Sequence, residues 1–199
     1  MTFAEEADGV LAVQLFEPAE CALVMDRMRL TEGWYDASLR VSAADGGTAD
    51  ILSREARLAS VLSLCDLPEL QRRFDAQVDA LVKPLIACYW NLELTDHDGS
   101  QIVRYGMGGH YETHDDVGET CTDRYFSVVC YLNDDFDGGG TEFIDLAYTV
   151  TPMAGKSIVF PARYLHRAQP VLAGEKYVAV SWVIRRLPEP PVYSARRPR

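Results

Sequence analysis

Three residues have the types and the spacing to bind a metal ion: His114, Asp116 and His166. His114 and Asp116 stand two apart in HYETHDDVGE, so on a β-strand their side chains would point to the same face. His166 lies fifty residues after Asp116 and would complete a set of two imidazoles and one carboxylate. Such a facial triad binds ferrous iron and leaves neighbouring coordination positions open. A His-x-Asp pair alone often arises by chance. The surrounding residues therefore determine whether this pair indicates a metal site.

Lys176 adds a cation to this set, since it lies ten residues past His166 and follows the turn-prone segment LAGE, residues 172–175. A hairpin at this turn would bring Lys176 beside the metal. A dicarboxylate that chelates iron at one end has a second carboxylate that needs a buried cation, and a lysine opening a buried strand can supply it. The sequence therefore predicts one pocket for a ferrous ion and an oxo acid.

The two halves of the chain predict different elements for positioning these residues. Before residue 92, apolar residues fall at helical spacing after Pro18 and again after Pro68, and Pro84 interrupts the second stretch. From residue 101 the chain changes to short β-prone runs separated by glycine and acidic turns. These runs are QIVRYG, HYETHDD, RYFSVVCYL, TEFIDL, YTVTPM, KSIVFP and KYVAVSWVI.

We therefore predict an α+β fold, in which a double-stranded β-helix, or jelly-roll, is buttressed by N-terminal helices. A single domain would span residues 1–199. Residues 1–92 would be mainly helical support, residues 101–185 the jelly-roll core, and residues 187–199 a flexible, proline-rich basic tail.

Composition excludes several classes of function. The net charge of −11 argues against nucleic-acid binding, which depends on basic residues that neutralise phosphates. No apolar run is long enough to span a bilayer, and the acidic start MTFAEEADGV does not resemble a secretory signal. Five cysteines without a CxxC pair favour free thiols and a cytoplasmic location. The oligomeric state cannot be read from the sequence.

The segment IVRYGMGGHYETHDD resembles the signature of the prolyl 4-hydroxylase-like family of Fe(II)/2-oxoglutarate-dependent dioxygenases. The similarity continues, in family order, through Arg124, YLND at 131–134, GGGTEF at 138–143, VTPMAGKSIVF at 150–160 and PVLAGEKYVAVSW after His166. It covers about residues 101–185. Asp115, Thr113 and His110 depart from residues common in the prolyl enzymes, so the substrate stays open among amino-acid, peptidyl and prolyl-type compounds.

The resemblance implies a hydroxylase that consumes 2-oxoglutarate and O2, releases succinate and CO2, and is supported by ascorbate. It implies His114, Asp116 and His166 as the Fe(II) ligands and catalytic centre. It further implies Lys176 as the anchor of the distal 2-oxoglutarate carboxylate, with Tyr105 and Tyr131 as hydroxyl donors to this cosubstrate.

Two alternatives stay open: a noncatalytic jelly-roll module that binds a metal or another ligand, and a cupin-type dioxygenase that uses no oxo acid. Neither requires Lys176. Seven acidic residues near the predicted ligands suggest a negative field that would favour a positively charged amino-acid-like, peptide or protein substrate, although they could equally serve only solvation. They are Glu112, Asp115, Glu119, Asp123, Asp134, Asp135 and Asp137.

Overall fold

Short antiparallel strands are the main regular element of the fold, as seen in a computed structural model that describes residues 2–43 and 46–185. The predicted tail at 187–199 lies outside the described residues. The strands are β1 (Ala4–Ala7), β2 (Val10–Gln14), β3 (Tyr35–Asp36), β4 (Leu39–Ser42), β5 (Thr48–Ile51), β6 (Arg57–Leu58), β7 (Ser60–Ser63), β8 (Asp96–Tyr105), β9 (His110–His114), β10 (Arg124–Tyr131), β11 (Asp137–Gly138), β12 (Thr141–Phe143), β13 (Tyr148–Val150), β14 (Lys156–Pro161), β15 (His166–Ala168), β16 (Val171–Ala173) and β17 (Lys176–Ile184).

Two sheets face each other across a shared core. The larger has eight strands in the order β1-β2-β14-β10-β17-β8-β7-β3, and the smaller has five in the order β13-β12-β15-β9-β6. Two ribbons, β4-β5 and β11-β16, complete the described strands. Buried side chains from both sheets pack together, among them Val103 and Tyr131 from the larger sheet and Phe143 from the smaller. This arrangement is a β-sandwich.

The helices cover the other face of the larger sheet. They are α1 (Pro18–Leu30), α2 (Pro68–Gln77) and α3 (Lys83–Trp90), with a 3-10 turn at Leu64–Asp66 and a π-helical segment, Val78–Val82, that joins α2 to α3. Pro84 lacks an amide hydrogen and its ring would clash in a regular helix, and the wider π turn just before it lets the helix continue. No helix in the described residues is long and apolar enough to cross a membrane.

Strand β17 separates two cores because its side chains alternate between the faces of the sheet. Tyr177, Ala179 and Val183 pack with helical residues such as Phe74. Lys176, Val178, Val180 and Trp182 instead line a cavity between the sheets. This second set therefore faces the smaller sheet.

The seven strands predicted from residue 101 onward are all present. The prediction that residues 1–92 are mainly helical was wrong in extent, because this part also contains β1 to β7. Strand β2 is held in the larger sheet by pairing with β14, and β7 by pairing with β8. These partners lie far along the chain, so tertiary pairing rather than local spacing sets the structure of these segments.

Candidate active site

The smaller sheet brings the three predicted metal ligands together. His166 on β15 is the cross-strand partner of His114 on β9, and Asp116 follows just after β9 ends. The amide of Asp116 donates to the carbonyl of Ala162 (2.9 Å), which holds this residue beside the strand. Each imidazole Nε2 lies 3.7 Å from one oxygen of the Asp116 carboxylate. Potential ligand atoms of all three residues lie within 4.8 Å of one another, close enough to share one ion.

Backbone carbonyls orient both imidazoles. Nδ1 of His114 lies 2.7 Å from the carbonyl oxygen of Glu112, and Nδ1 of His166 lies 2.9 Å from that of Tyr164. Because a carbonyl can only accept, each Nδ1 carries the proton and each Nε2 keeps its lone pair. Both free lone pairs are thereby available to a metal.

The protonation states of the cluster also suit a cation. Burial and, after it, the neighbouring His166 lower the pKa of His114 to about 4, so His114 is neutral near pH 7. Burial alone would raise the pKa of Asp116, but the two imidazoles and a hydrogen bond from Ser127 outweigh it and lower this pKa. Trp182 contributes in the same direction, although its indole nitrogen makes no hydrogen bond of ordinary geometry within the described residues. Two imidazoles and one carboxylate are a ligand set typical of nonheme Fe(II).

Lys176 lines the same cavity, which has a volume of about 420 Å3. Its side chain is 2% exposed, and Nζ donates to the carbonyl of Gly139 (2.6 Å). A Cβ at Gly139 would lie 3.2 Å from Cδ of Lys176, so the glycine permits this close approach. Burial lowers the pKa of Lys176 to about 7, and no carboxylate in the described chain pairs with it. A buried ammonium with only a carbonyl partner is costly unless an anion binds beside it.

Both predicted tyrosines lie next to Lys176. Its Nζ is 4.9 Å from the ring centre of Tyr105 and 5.4 Å from that of Tyr131. The hydroxyl of Tyr131 lies 2.7 Å from Oγ1 of Thr141, a buried cavity residue that the sequence did not single out. Burial raises the pKa of both phenols, so each keeps its proton and can donate to an anion.

Three arginines also line the cavity: Arg40, Arg57 and Arg124. Arg124 lies with its guanidinium carbon 3.5 Å from the ring centre of Trp182 and donates to the backbone carbonyl of Asp116 (3.2 Å). Arg57 lies 4.7 Å above the ring centre of Tyr111, which stacks on His114. Sequence analysis missed Arg57, because only the pairing of β6 with β9 brings it to the site.

The predicted acidic rim is not found around the cavity. Of the seven acidic residues proposed for it, only Asp115 lines the cavity, and its Oδ1 accepts hydrogen bonds from the amides of Val117 (2.9 Å) and Gly118 (2.6 Å). Others make contacts elsewhere: Glu119 accepts from Ser42 and Asp135 pairs with Arg29. The prediction was wrong because closeness in sequence to the ligands did not place these carboxylates at the opening.

Comparison with known proteins agrees with this geometry. Residues 100–184 match the family model of the 2OG-Fe(II) oxygenase superfamily. The chain is 28% identical over 131 residues to prolyl 4-hydroxylase subunit alpha-1 of Caenorhabditis elegans, covering 56% of this chain and 23% of that protein. It is 29% identical over 168 residues to a PKHD-type hydroxylase of Sphingopyxis alaskensis, covering 76% and 74%. A crystal structure of a 2OG-Fe(II) oxygenase family oxidoreductase from Burkholderia pseudomallei superposes with a TM-score of 0.65 at 20% identity, covering 90% and 86%.

Residues 100–184 of the chain are therefore similar to the 2OG-Fe(II) oxygenase superfamily, and the chain is similar to the hydroxylase relatives. Its resemblance to the prolyl 4-hydroxylase-like members, inferred from the motif around His114, is confirmed. The likeness to the solved structure extends to the fold and supports the predicted jelly-roll. The chain spans less than a quarter of the length of the C. elegans relative.

Proposed function

We propose that the protein is an Fe(II)- and 2-oxoglutarate-dependent hydroxylase that releases succinate and CO2. One observation carries the proposal: the His114, Asp116 and His166 cluster shares a single cavity with the buried, unpaired ammonium of Lys176. A purely structural metal site has no need of such an ammonium. The family match over residues 100–184 supports both the metal and the cosubstrate.

The donor set fits ferrous iron. Both Nε2 atoms have free lone pairs, and the carboxylate of Asp116 is held by the hydroxyl of Ser127. One carboxylate offsets part of the charge of the ion, and three protein ligands leave positions free for cosubstrate and O2. We infer that these three residues are the iron ligands.

The cavity also fits a dicarboxylate. We infer that Lys176 binds the distal carboxylate of 2-oxoglutarate, that the Tyr131 and Thr141 hydroxyls lie within its reach, and that Tyr105 forms part of the same pocket. Val103, Val178 and Val180 supply an apolar lining, so the ammonium would meet its counter-ion away from bulk water. Charge-assisted pairs are strengthened in such surroundings.

The iron and 2-oxoglutarate would together supply the oxidising power for hydroxylation from O2, as in the superfamily. The residues of the chain hold and orient these partners. The two carbonyls at Nδ1 fix the imidazole planes, Lys176 fixes one end of the oxo acid, and Trp182 closes the cavity wall beside Asp116. This wall limits water near the reacting atoms.

The substrate is proposed only at the level of class: an amino-acid, peptidyl or prolyl-type compound. The names of the two hydroxylase relatives support this class. A cytoplasmic location, a stimulatory effect of ascorbate and a single catalytic domain spanning residues 1–199 stay predictions. All five cysteines are free thiols, which is compatible with a reducing compartment.

The decisive experiment measures succinate release and substrate mass together. Purified protein is incubated with Fe(II), ascorbate, 2-oxoglutarate and candidate substrates, and we expect succinate together with a mass gain of one oxygen. Lys176→Met should lose both signals. Lys83→Met is the matched control, because Lys83 pairs with Asp79 on the helices and does not line the cavity. Oxidised product without succinate would favour a cupin-type dioxygenase, and metal binding without either product would favour a noncatalytic module.

A further inference from the structure

The charged residues that line the cavity do not balance once the proposed iron and cosubstrate are counted. Arg40 and Asp50 neutralise each other through contacts of 3.2 and 3.4 Å. The ferrous ion, Asp116 and Lys176 together match the two negative charges of 2-oxoglutarate. The remaining lining charges are Arg57 and Arg124 against Asp115 alone, so one positive charge is left over. An uncompensated positive charge in an enclosed site attracts an anion.

Arg57 is the arginine best placed to bind such an anion. Its Nη1 donates to the carbonyl of Ser38 (3.1 Å), whereas its buried Nε has no hydrogen-bond partner in the described residues. No carboxylate of residues 2–43 or 46–185 forms an ion pair with it. A buried guanidinium nitrogen without a partner is costly, and a ligand oxygen would remove that cost.

The position of Arg57 relative to the proposed iron site fits a substrate contact. Its register partner Tyr111 stacks on His114 with ring centres 3.5 Å apart, so only one aromatic ring separates the guanidinium from a metal ligand. Arg124 is engaged differently, by Trp182 and by the backbone of Asp116. The Arg57 side chain also interacts with Tyr105, which leaves Nε as its one recorded donor without a partner in the described residues. Arg57 therefore combines proximity to the reacting centre with one free donor.

We propose that the substrate carries a carboxylate that Arg57 binds through its unpaired guanidinium Nε. This inference rests on the proposed function and narrows its substrate class. A carboxylate fits better than a phosphate dianion, because the cavity leaves only one positive charge uncompensated. It replaces the positively charged substrate that the sequence suggested. The carboxylate can belong to a free amino acid or to an acidic side chain of a peptide.

Binding measurements test this without requiring turnover. Protein loaded with Zn(II) and saturating 2-oxoglutarate is titrated calorimetrically with matched pairs. One arm pairs free amino acids, proline included, with their amides. The other pairs N-acetylated, C-amidated tripeptides containing Glu with the same peptides containing Gln. We expect at least one acid to bind about tenfold or more tightly than its neutral partner, and the arm in which it occurs identifies the source of the carboxylate.

Variants assign the preference to a residue. Arg57→Gln should remove it and Arg57→Lys should restore part of it. Arg54→Gln, the matched control on an arginine that pairs with Asp36 outside the cavity lining, should leave it intact. A panel without acid preference, a preference that survives Arg57→Gln, or an equal loss in Arg54→Gln would overturn the inference. So would an Arg57→Gln variant whose main defect is 2-oxoglutarate binding. Failure of the proposed function is a separate result, because 2-oxoglutarate would then not bind in a Lys176-dependent way.

Discussion

The two faces of the larger sheet share the same strands but differ in what they contain. The face under the helices is filled by apolar side chains such as Phe74, Val128 and Val183. The face toward the smaller sheet contains apolar residues too, but also Lys176 and a cavity lined by arginines, histidines and tyrosines. Strand β17 contributes to both faces through successive residues.

Because side chains alternate along a strand, residues that stabilise the fold lie on one face of the sheet and residues that bind ligands lie on the other. Burial of apolar area on the helical face contributes favourable free energy to folding. Burial of the Lys176 ammonium on the other face costs free energy that a bound anion can recover. Substitutions on the helical face should therefore lower the free energy of unfolding, whereas substitutions of cavity residues should weaken ligand binding.

The largest effect is expected at the metal ligands. His166→Ala should abolish 2-oxoglutarate turnover, because two remaining ligands hold iron poorly and misplace the cosubstrate. The melting temperature of the metal-free protein should stay close to that of the wild type. His97→Ala, a histidine beside Asp75 and outside the iron cavity, is the control and should stay active. Normal succinate release by His166→Ala would refute the ligand assignment.

A substitution on the helical face tests whether that face contributes to stability rather than to binding. Phe74 is fully buried between the helices and the sheet, so Phe74→Ala should cost about 3–5 kcal/mol of unfolding free energy. Urea denaturation measures this loss. In the fraction that stays folded, the KM for 2-oxoglutarate should match the wild type. A large change in KM would show that the two faces are coupled.

Lys176→Met should show the reverse signature. Loss of a buried charge-assisted pair costs about 2–5 kcal/mol, which raises the KM for 2-oxoglutarate roughly thirty-fold to several thousand-fold. The ligand-free variant should be at least as stable as the wild type, because no ammonium is buried. Equilibrium unfolding and steady-state kinetics measure both quantities. A KM within twofold of wild type would remove Lys176 from the cosubstrate site.

The smallest effect concerns pH. Burial lowers the pKa of Lys176 from 10.5 to about 7 in the folded protein. Between these two values the unfolded chain binds the proton and the folded protein does not, so the stability of ligand-free wild type should rise with pH relative to Lys176→Met. The slope is at most ~1.4 kcal/mol per pH unit. Since 2-oxoglutarate needs the ammonium, its KM should rise above about pH 7. Parallel pH curves for the two proteins would contradict this.

Sequence patterns predicted the parts of the site that depend on local geometry. The ligand types and their spacing predicted that His114 and Asp116 meet, although β9 ends at His114 and Asp116 lies just beyond the strand. The turn before Lys176 predicted its return to the cavity. These inferences depend only on short stretches of sequence, on the ligands that a metal ion requires and on the cation that a buried carboxylate requires.

Parts that depend on distant pairing were not predictable. Strands β2 and β7 were missed because their partners lie elsewhere in the chain, and Arg57 was missed because its role follows from the contact of β6 with β9. The acidic residues near His114 were misplaced for a related reason. A loop carboxylate such as that of Asp115 can accept hydrogen bonds from the backbone amides that follow it, and composition does not reveal this.

The pairing of β2 with β14 has a consequence for how the molecule forms. Leu11 lies opposite Val159, so an early strand joins the sheet only after most of the chain has been made. Contacts between residues so distant in sequence carry a large loop-closure entropy and slow the folding rate. During synthesis on the ribosome, the apolar segment Val10–Gln14 is made well before its partner strand β14. We expect nascent chains that stop before β14 to be recognised by chaperones or to aggregate.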